Sequence, residues 1–141
     1  MKLKQDIRLD SIVILSHFAQ LGDDFIDNLE KSVDCKVYAA KLSNLSQMNA
    51  IFINHELVGL IAYYRSIENN EIFISHVGVI PKWQKNGFAS DLVKSVISES
   101  SGLTIRLEVL DENLPARRLY ESLNFRVSGI VKSKLTMERP S

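Results

Sequence analysis

The sequence predicts an α/β domain built on a mixed sheet, and three observations lead to this prediction. Two β-branched and aromatic runs, Ala50–Ile53 and Leu57–Tyr64, flank Asn54-His55-Glu56, a pattern typical of an antiparallel hairpin. Between residues 71 and 110, a strand pattern, a helix pattern and another strand pattern follow one another, which indicates a central crossover. At 141 residues, the chain has the size of a single domain, expected to span residues 1–141.

The segment before the hairpin is expected to be helical. Apolar residues from Asp10 to Gln20 form a loosely helical stripe that Gly22 ends, and a short second helix is expected next. Val37–Leu45 also carries apolar residues at helical spacing. The predicted order is therefore helices first, followed by strands.

A strand over Glu71–Ile80 follows the hairpin, and Gly78 near its end indicates either a bulge or a close approach by another group. A helix that begins near Gly87 ends before Ser100-Ser101-Gly102, and Leu103–Leu110 is the next strand. These elements form the strand–helix–strand crossover at the centre of the predicted sheet.

One helix and two strands complete the pattern. Asn113 is a good N-cap, and Pro115 fits the first turn of a helix, where its missing N–H costs little. Phe125–Val127 and Ile130–Met137 are predicted to be antiparallel strands around Ser128-Gly129. The full predicted order is helices, then β-β-β-α-β-α-β-β.

Composition excludes several classes of partner. Lys and Arg together equal Asp and Glu at 17 each, so neither a nucleic-acid surface nor a polybasic membrane anchor is expected. The three histidines are too scattered for a metal site, and Cys35, the only cysteine, has no disulfide partner in the chain. The apolar run after Ser11 is too short for a signal peptide or a membrane span, so a cytoplasmic protein without a metal is expected.

The stretch VIPKWQKNGFASDLV, residues 79–93, indicates a binding site for an anion. No acidic residue occurs from Ile80 to Ser90, and Gly87 stands where a helix begins, so free backbone N–H groups are expected to point into one hollow. Lys82 and Lys85 add positive charge, and phosphate or pyrophosphate is the implied ligand. The alternative is an ordinary loop, since glycine and proline mark loops in all proteins; the usual nucleotide-binding patterns GxxxxGK[ST] and GxGxxG are absent.

Two motifs resemble the GNAT acetyltransferase superfamily. Gln84-Lys85-Asn86-Gly87-Phe88-Ala89 fits the signature [RQ]xxGx[GA], and LEVLDENLPARRLYESLNF, residues 107–125, is similar to the family segment LEVxxxNxxAxxLYxxLGF. With the hairpin and the last strands, the resemblance covers roughly residues 50 to 137. It implies a mostly antiparallel sheet with a splayed central strand pair and flanking helices.

The resemblance also implies acetyl-CoA as cosubstrate and assigns its contacts. The pyrophosphate would lie on the loop, and the pantetheine arm would pair with backbone at Val77 and Val79 as an added strand. Asn113 matches a position that contacts the pantetheine, although its role as N-cap explains the residue equally well. The cofactor-binding residues are therefore expected to be Val77, Val79, Gln84, Lys85, Asn86, Gly87, Phe88, Ala89, Ser90 and Asn113.

Three residues are the main candidates for catalysis, and a fourth is weaker. Tyr120 matches the family tyrosine that protonates the departing thiolate, and otherwise would be a core aromatic residue. Glu108, twelve residues earlier, resembles the glutamate of ribosomal-protein N-terminal acetyltransferases. The alternative is that Arg106 and Glu108 belong to a half-exposed, salt-bridged strand face. His76 is the rival base or else a core histidine, Glu71 is a weaker candidate, and water is a further route for the amine proton.

The resemblance implies an N-acetyltransferase that acts on a primary amine of a small molecule by direct attack in a ternary complex. Acetylation of a protein N-terminus and a non-catalytic acyl-CoA-binding module are the alternatives. Two positions depart from the family pattern: Asn124 replaces the glycine of LGF, where asparagine still suits a left-handed cap, and Gln84 replaces the commoner arginine. A homodimer through the apolar C-terminal strands is an open alternative to a monomer that covers its own edge.

Overall fold

The computed structural model describes residues 1–141, which form seven strands, five α-helices and one short 3₁₀ turn. The strands are β1 (Lys2–Ile7), β2 (Gln47–Ile53), β3 (Glu56–Ser66), β4 (Glu71–Val79), β5 (Thr104–Leu110), β6 (Arg126–Val131) and β7 (Lys134–Arg139). The helices are α1 (Ser11–Leu21), α2 (Asp23–Glu30), α3 (Cys35–Leu45), α4 (Phe88–Ile97) and α5 (Leu114–Ser122), and the 3₁₀ turn is Pro81–Trp83. The predicted α/β class is confirmed.

All seven strands belong to one sheet, in the order β1-β2-β3-β4-β5-β7-β6. Neighbouring strands are antiparallel except β4 and β5, which run parallel and stop pairing after Ile74 and Leu107. Beyond this point β4 continues to Val79 and β5 to Leu110 without further pairing between them. The predicted mostly antiparallel sheet with a splayed central strand pair is therefore confirmed.

Helices cover the two faces of the sheet to different extents. The core on one face is closed by α4 and α5 and includes residues from strands β2 to β5 and β7. On the other face, α1, α2 and α3, called here the N-terminal layer, pack over β2 and β3, and their core contains no residue of β5, β6 or β7. That half of the second face remains open beside the splayed strands.

Local capping signals begin and end the helices close to where the sequence predicts. Asp10 Oδ1 accepts a hydrogen bond from the Val13 N–H at 3.0 Å, and Gly22, with φ of 109°, ends α1. Asn124 takes the predicted left-handed conformation with φ of 72°. Helix α3 begins two residues earlier than predicted because the Asp34 carboxylate accepts hydrogen bonds from the first turn.

The sequence analysis missed one strand and misplaced one turn. Strand β1 pairs antiparallel with β2 at the sheet edge, but only Leu3 and Ile7 of it are part-buried, so its alternation is too weak to recognise in the sequence. The last hairpin turns at Lys132-Ser133, where Lys132 has φ of 57°, and not at Ser128-Gly129. Gly129 instead lies within β6, next to an irregularity of register, because glycine marks bulges as well as turns.

Gly78 marks a close approach and not a bulge. The bulge in β4 lies at Ser75, because Tyr63 pairs with Ile74 and the preceding residue of β3 pairs with His76. A Cβ atom at Gly78 would lie 2.8 Å from Leu21 Cδ1 and 3.0 Å from His76 Cε1. The missing side chain therefore lets α1 pack directly against β4.

The two longest helices, α1 and α3, have eleven residues each, and no helix has the length and apolar character that a membrane span requires.

Candidate active site

The splay between β4 and β5 opens a cleft of about 650 Å³. Residues from both sides of the sheet reach it, because no strand fills the gap beyond Ile74 and Leu107. Its lining includes β4 from Phe73 to Val77, β5 from Glu108 to Leu110, and parts of α2, α3, α5 and the β6–β7 turn. The cleft has the size of an ordinary small-ligand site.

Tyr120 reaches the cleft from the α4–α5 side of the sheet. Its side chain is buried in the core, with its ring centroid 5.7 Å from that of Phe125, but it also lines the cleft. Burial raises the pKa of the Tyr120 hydroxyl to about 12, so this group is protonated at neutral pH. Tyr120 is therefore a core aromatic residue that also lines the candidate site.

Glu108 reaches the same cleft from the open side of the sheet. Its neighbours Leu107 and Val109 are buried in the core with α4 and α5, so the Glu108 side chain points to the opposite face, where it is exposed. Arg106 shares this face but pairs with Glu71, at 2.6 Å between Arg106 Nη2 and Glu71 Oε1. The strand face that Arg106 and Glu108 share is therefore partly salt-bridged, but the partner of Arg106 is Glu71, and Glu108 makes no ion pair.

His76 lies at the inner wall of the cleft, beneath the N-terminal layer. Its Nε2 atom is 3.0 Å from Nε2 of His17, and the aromatic rings of Phe18 and Phe25 contact it. Burial, with the neighbouring His17, lowers the pKa of His76 well below its usual value. His76 is thus both a core histidine and a lining residue, and it is a weak base.

Tyr38 of α3 joins the N-terminal layer to the bulge of β4. The Tyr38 hydroxyl donates a hydrogen bond to the carbonyl oxygen of Ser75 at 3.0 Å, and the Ser75 hydroxyl donates to Tyr38 in turn. The Tyr38 ring stacks on Phe18, with centroids 5.8 Å apart. Sequence reasoning missed this contact, which positions the β4 backbone where β4 leaves β5.

The loop before α4 presents a row of free backbone donors. The α4 N-cap, Gly87, has a left-handed φ of 79°, and the first backbone bond of this helix runs from Asp91 N–H to Gly87 oxygen. None of the six N–H groups from Lys85 to Ser90 donates a hydrogen bond within the chain. This arrangement fits the predicted anion site.

The loop side chains have different partners from those that the sequence suggests. Gln84 Nε2 donates to the Val79 carbonyl at 3.0 Å, and Asn86 Nδ2 donates to the carbonyls of Trp83 and Gln84. These hydrogen bonds hold the loop in shape, and they use one of the two N–H groups of the Gln84 side chain and both of those of Asn86. Lys82 pairs with Glu56 at 3.3 Å, so a carboxylate from outside the loop offsets part of the positive charge that the sequence predicts there.

The remaining predicted cofactor contacts lie on both sides of the splay. Asn113 caps α5 through a 3.3 Å bond from the Ala116 N–H to its Oδ1 atom, and it also lines the cleft. Val77 lines the cleft from β4, whereas the Val79 carbonyl is occupied by Gln84. Phe88, Ala89 and Ser90 are half-buried in the first turn of α4.

Several lining residues were absent from the sequence-based set. They lie in α2, the α2–α3 connection and the β6–β7 turn, and the charged ones among them are Lys31, Glu112 and Lys134. No motif marks these positions, because they lie in segments that only the folded chain brings to the cleft. No group of three or more His, Cys, Asp or Glu side chains is arranged as a metal site.

Comparison with known proteins agrees with this geometry. The profile of the acetyltransferase (GNAT) family matches residues 18–125, which is most of the chain. Among solved structures, aminoglycoside 6'-acetyltransferase type Ii is similar with a TM-score of 0.79 at 18% identity, over 99% of this chain and 97% of that chain. A search of curated protein sequences gave no match.

Two further structures show the same fold. The ribosomal-protein-S18-alanine N-acetyltransferase from Escherichia coli has a TM-score of 0.77 at 18% identity, over 99% of this chain and 92% of that chain. The paia N-acetyltransferase from Thermoplasma acidophilum in complex with coenzyme A has a TM-score of 0.76 at 15% identity, over 100% of both chains. The fold and the splayed site thus define a GNAT-type acyltransferase scaffold. The chain belongs to the GNAT acetyltransferase family.

Proposed function

We propose that this chain transfers the acetyl group of acetyl-CoA to the primary amine of a small molecule, by direct attack of the amine in a ternary complex. The observation that carries this proposal is the position of Tyr120 and Glu108, which line one cleft from opposite faces of the sheet. A thioester placed in the gap would meet Tyr120 on one side and an incoming amine on the other. No covalent carrier is needed, and Cys35 does not line the cleft.

The free amides from Lys85 to Ser90 would hold the pyrophosphate of the cosubstrate. Val77 offers backbone to the pantetheine arm, and the Nδ2 group of Asn113 remains available beside the capping oxygen. Coenzyme A in the related Thermoplasma acidophilum structure supports this assignment. Location in the cytoplasm remains a prediction.

Tyr120 would act on the departing sulfur. A phenol with a pKa of about 12 is a weaker acid than an ordinary thiol, whose pKa is about 8.5. Full transfer of the Tyr120 proton to the thiolate is therefore unfavourable. Tyr120 would instead stabilise the transition state by donating a hydrogen bond to the sulfur as negative charge develops there. The tetrahedral intermediate collapses as the carbon–sulfur bond breaks.

Glu108 would receive the amine proton, directly or through water. It is free of ion pairs and exposed on the side from which an amine enters. His76 is less suited, because its Nε2 atom contacts His17 and burial lowers its pKa. Glu71 is held by Arg106. These contacts support Glu108 or a Glu108-bound water as the route for the proton.

Binding of the cosubstrate is tested first. Trp83, the only tryptophan, has its ring centroid 6.4 Å from that of Phe88, whose N–H is one of the free amides, so its fluorescence should report on ligands in the loop. We expect acetyl-CoA and CoA to change this fluorescence and to stabilise the protein, by about 2.7 kcal/mol at a hundredfold excess over Kd. ATP serves as the control nucleotide, and no response to acetyl-CoA would overturn the proposal.

Turnover is tested next, with a panel of amino acids, amino sugars, polyamines and N-terminal peptides. We expect a small amine to be acetylated, with kcat lowered about 10²-fold or more by Tyr120→Phe and by Glu108→Gln. Glu138→Gln is the matched control, because Glu138 shares the sheet face of Glu108 but does not line the cleft. Preference for peptides would favour a protein N-terminus as acceptor. CoA binding without thioester loss with any amine would identify a non-catalytic module.

A further inference from the structure

The cleft is lined by two cations and two anions that form no ion pairs with one another. The charged lining residues are Lys31, Glu108, Glu112 and Lys134. The three ion pairs of the chain all lie elsewhere, so each of these four groups is free in the folded protein. All four are exposed at the open end of the cleft. Such a lining is complementary to a ligand that carries both charges.

Sheet register places Lys134 and Glu108 on the same face. Leu110 pairs with Lys134, and Glu108 pairs with Thr136, so Glu108 and Lys134 are diagonal neighbours on adjacent strands. Leu135 is buried in the opposite core, which directs Lys134 toward the open face with Glu108. Diagonal neighbours are about 7–8 Å apart at their Cα atoms, a separation suited to two groups of one small molecule.

Lys31 faces the same space from the N-terminal layer, at the C-terminal end of α2. A serine adjoins each lysine in sequence, Ser32 beside Lys31 and Ser133 beside Lys134, and both serines also line the cleft. Two ammonium groups with hydroxyl donors beside them bind carboxylate or phosphate oxygens well. Lys31 and Lys134 therefore reach the cleft from two different elements, each with a hydroxyl group beside it in sequence.

From this distribution we propose that the acceptor is zwitterionic, with a primary amine and a carboxylate or phosphate group on the same small molecule. Lys31 and Lys134 hold the anionic group, and Glu108 faces the amine that attacks the thioester. The inference rests on the proposed function and narrows its substrate class. Near-neutral overall charge does not oppose it, because recognition depends on these four local groups.

Matched acceptors test the substrate class. Short linear amines of equal length are compared, ending in a carboxylate, a phosphate, a neutral amide or an alcohol. We expect kcat/KM to be about tenfold or more higher for the anionic members, as charge-assisted hydrogen bonds require. Comparison of the carboxylate with the phosphate acceptors shows which of the two anionic groups the cleft prefers. Equal rates for anionic and neutral members would overturn the proposal.

Charge-neutralising variants test the two lysines. For Lys31→Gln with Lys134→Gln, we expect KM for an anionic acceptor to rise about tenfold, with KM for its neutral partner changed less than about twofold. Lys132→Gln is the control, because Lys132 lies in the same turn but does not line the cleft. The fluorescence response of Trp83 to CoA should be unchanged. An equal rise in KM for the neutral partner would contradict the assignment.

A binding measurement separates this inference from the proposed function. If CoA binds but no amine is acetylated, the proposed function fails. Calorimetry of the same matched acceptors against the CoA-saturated protein still tests whether the cleft prefers a zwitterionic ligand. Tighter binding of anionic members, lost in the double lysine variant, supports the inference. Equal binding, or none, overturns it.

Discussion

The Nε2 atoms of His17 and His76 lie 3.0 Å apart, between α1 and the inner wall of the cleft. Both rings are buried, with 2% and 5% of their surface exposed, so one Nε2 must donate and the other must accept without ionising. Phe18 and Phe25 pack against this pair, and the Nδ1 atom of His17 has no hydrogen-bond partner. A second proton on the pair would therefore be poorly solvated.

This pair predicts that stability falls in mild acid. Burial lowers the pKa of His17 to about 4, whereas the unfolded chain takes up the proton near 6.5. Between about pH 4 and pH 6.5, the unfolded state therefore binds more protons than the folded state. The contribution of His17 to the free energy of unfolding is complete above about pH 6.5 and declines by roughly 3 kcal/mol toward about pH 4. Urea unfolding at pH 7.5 and 4.5 measures this.

Two variants check that the buried pair is responsible. His55→Asn, in an exposed turn, should keep the pH dependence of the parent protein. His17→Phe should lose part of it, and a His17→Phe variant that keeps the whole dependence would contradict the assignment.

The Tyr38–Ser75 contact predicts an effect on both stability and turnover. Tyr38→Phe keeps the stacking on Phe18 but removes the hydrogen bonds to Ser75, and we expect a loss of about 1 kcal/mol in unfolding free energy. We also expect a lower kcat, because the bulge orients the backbone of the cleft. Tyr64→Phe is the control, since the Tyr64 hydroxyl is buried without a partner and its removal should cost nothing. Equal effects of the two variants on kcat would argue against the positioning role.

The close packing around Gly78 predicts that a larger residue there destabilises the fold, whereas the open space around Gly129 predicts no such effect. In Gly78→Ala, the added methyl group would lie 2.8 Å from Leu21 Cδ1 and 3.0 Å from His76 Cε1, so these packed side chains must move, and we expect a loss of about 1–3 kcal/mol. In Gly129→Ala, nothing lies within 4 Å of the new Cβ atom, and the change should be small. Thermal unfolding of both variants makes the comparison, and a Gly78→Ala variant as stable as Gly129→Ala would show that the packing relaxes freely.

Gly87 predicts a specific loss of CoA affinity. Gly87 and Gly102 have nearly the same left-handed φ, 79° and 77°, and both have open space where a Cβ atom would stand. Alanine at either position should therefore cost about 1 kcal/mol of stability through backbone strain. Only Gly87→Ala should weaken CoA binding, because Gly87 shapes the row of free amides. Similar CoA affinities for the two variants, measured by Trp83 fluorescence, would argue against the loop as the phosphate site.

The sequence alone determined the features that short segments encode. The Asn54-His55 turn, the cap at Asn113 and the left-handed Asn124 follow from local side-chain and backbone chemistry, which acts over a few residues. The free amides near Gly87 were predictable for the same reason. Gly129 shows the limit of prediction from local sequence. Glycine occurs in both turns and bulges, and only the pairing of the strands distinguishes the two.

Tertiary structure decided which distant groups meet. The point where β4 leaves β5, the contact of His17 with His76, the pairing of Lys82 with Glu56 and the approach of Lys134 to the cleft all join residues far apart in sequence. Such contacts depend on register and on the packing of helices over the sheet. Because these contacts depend on the whole fold, no pattern within a short segment of the sequence predicts them.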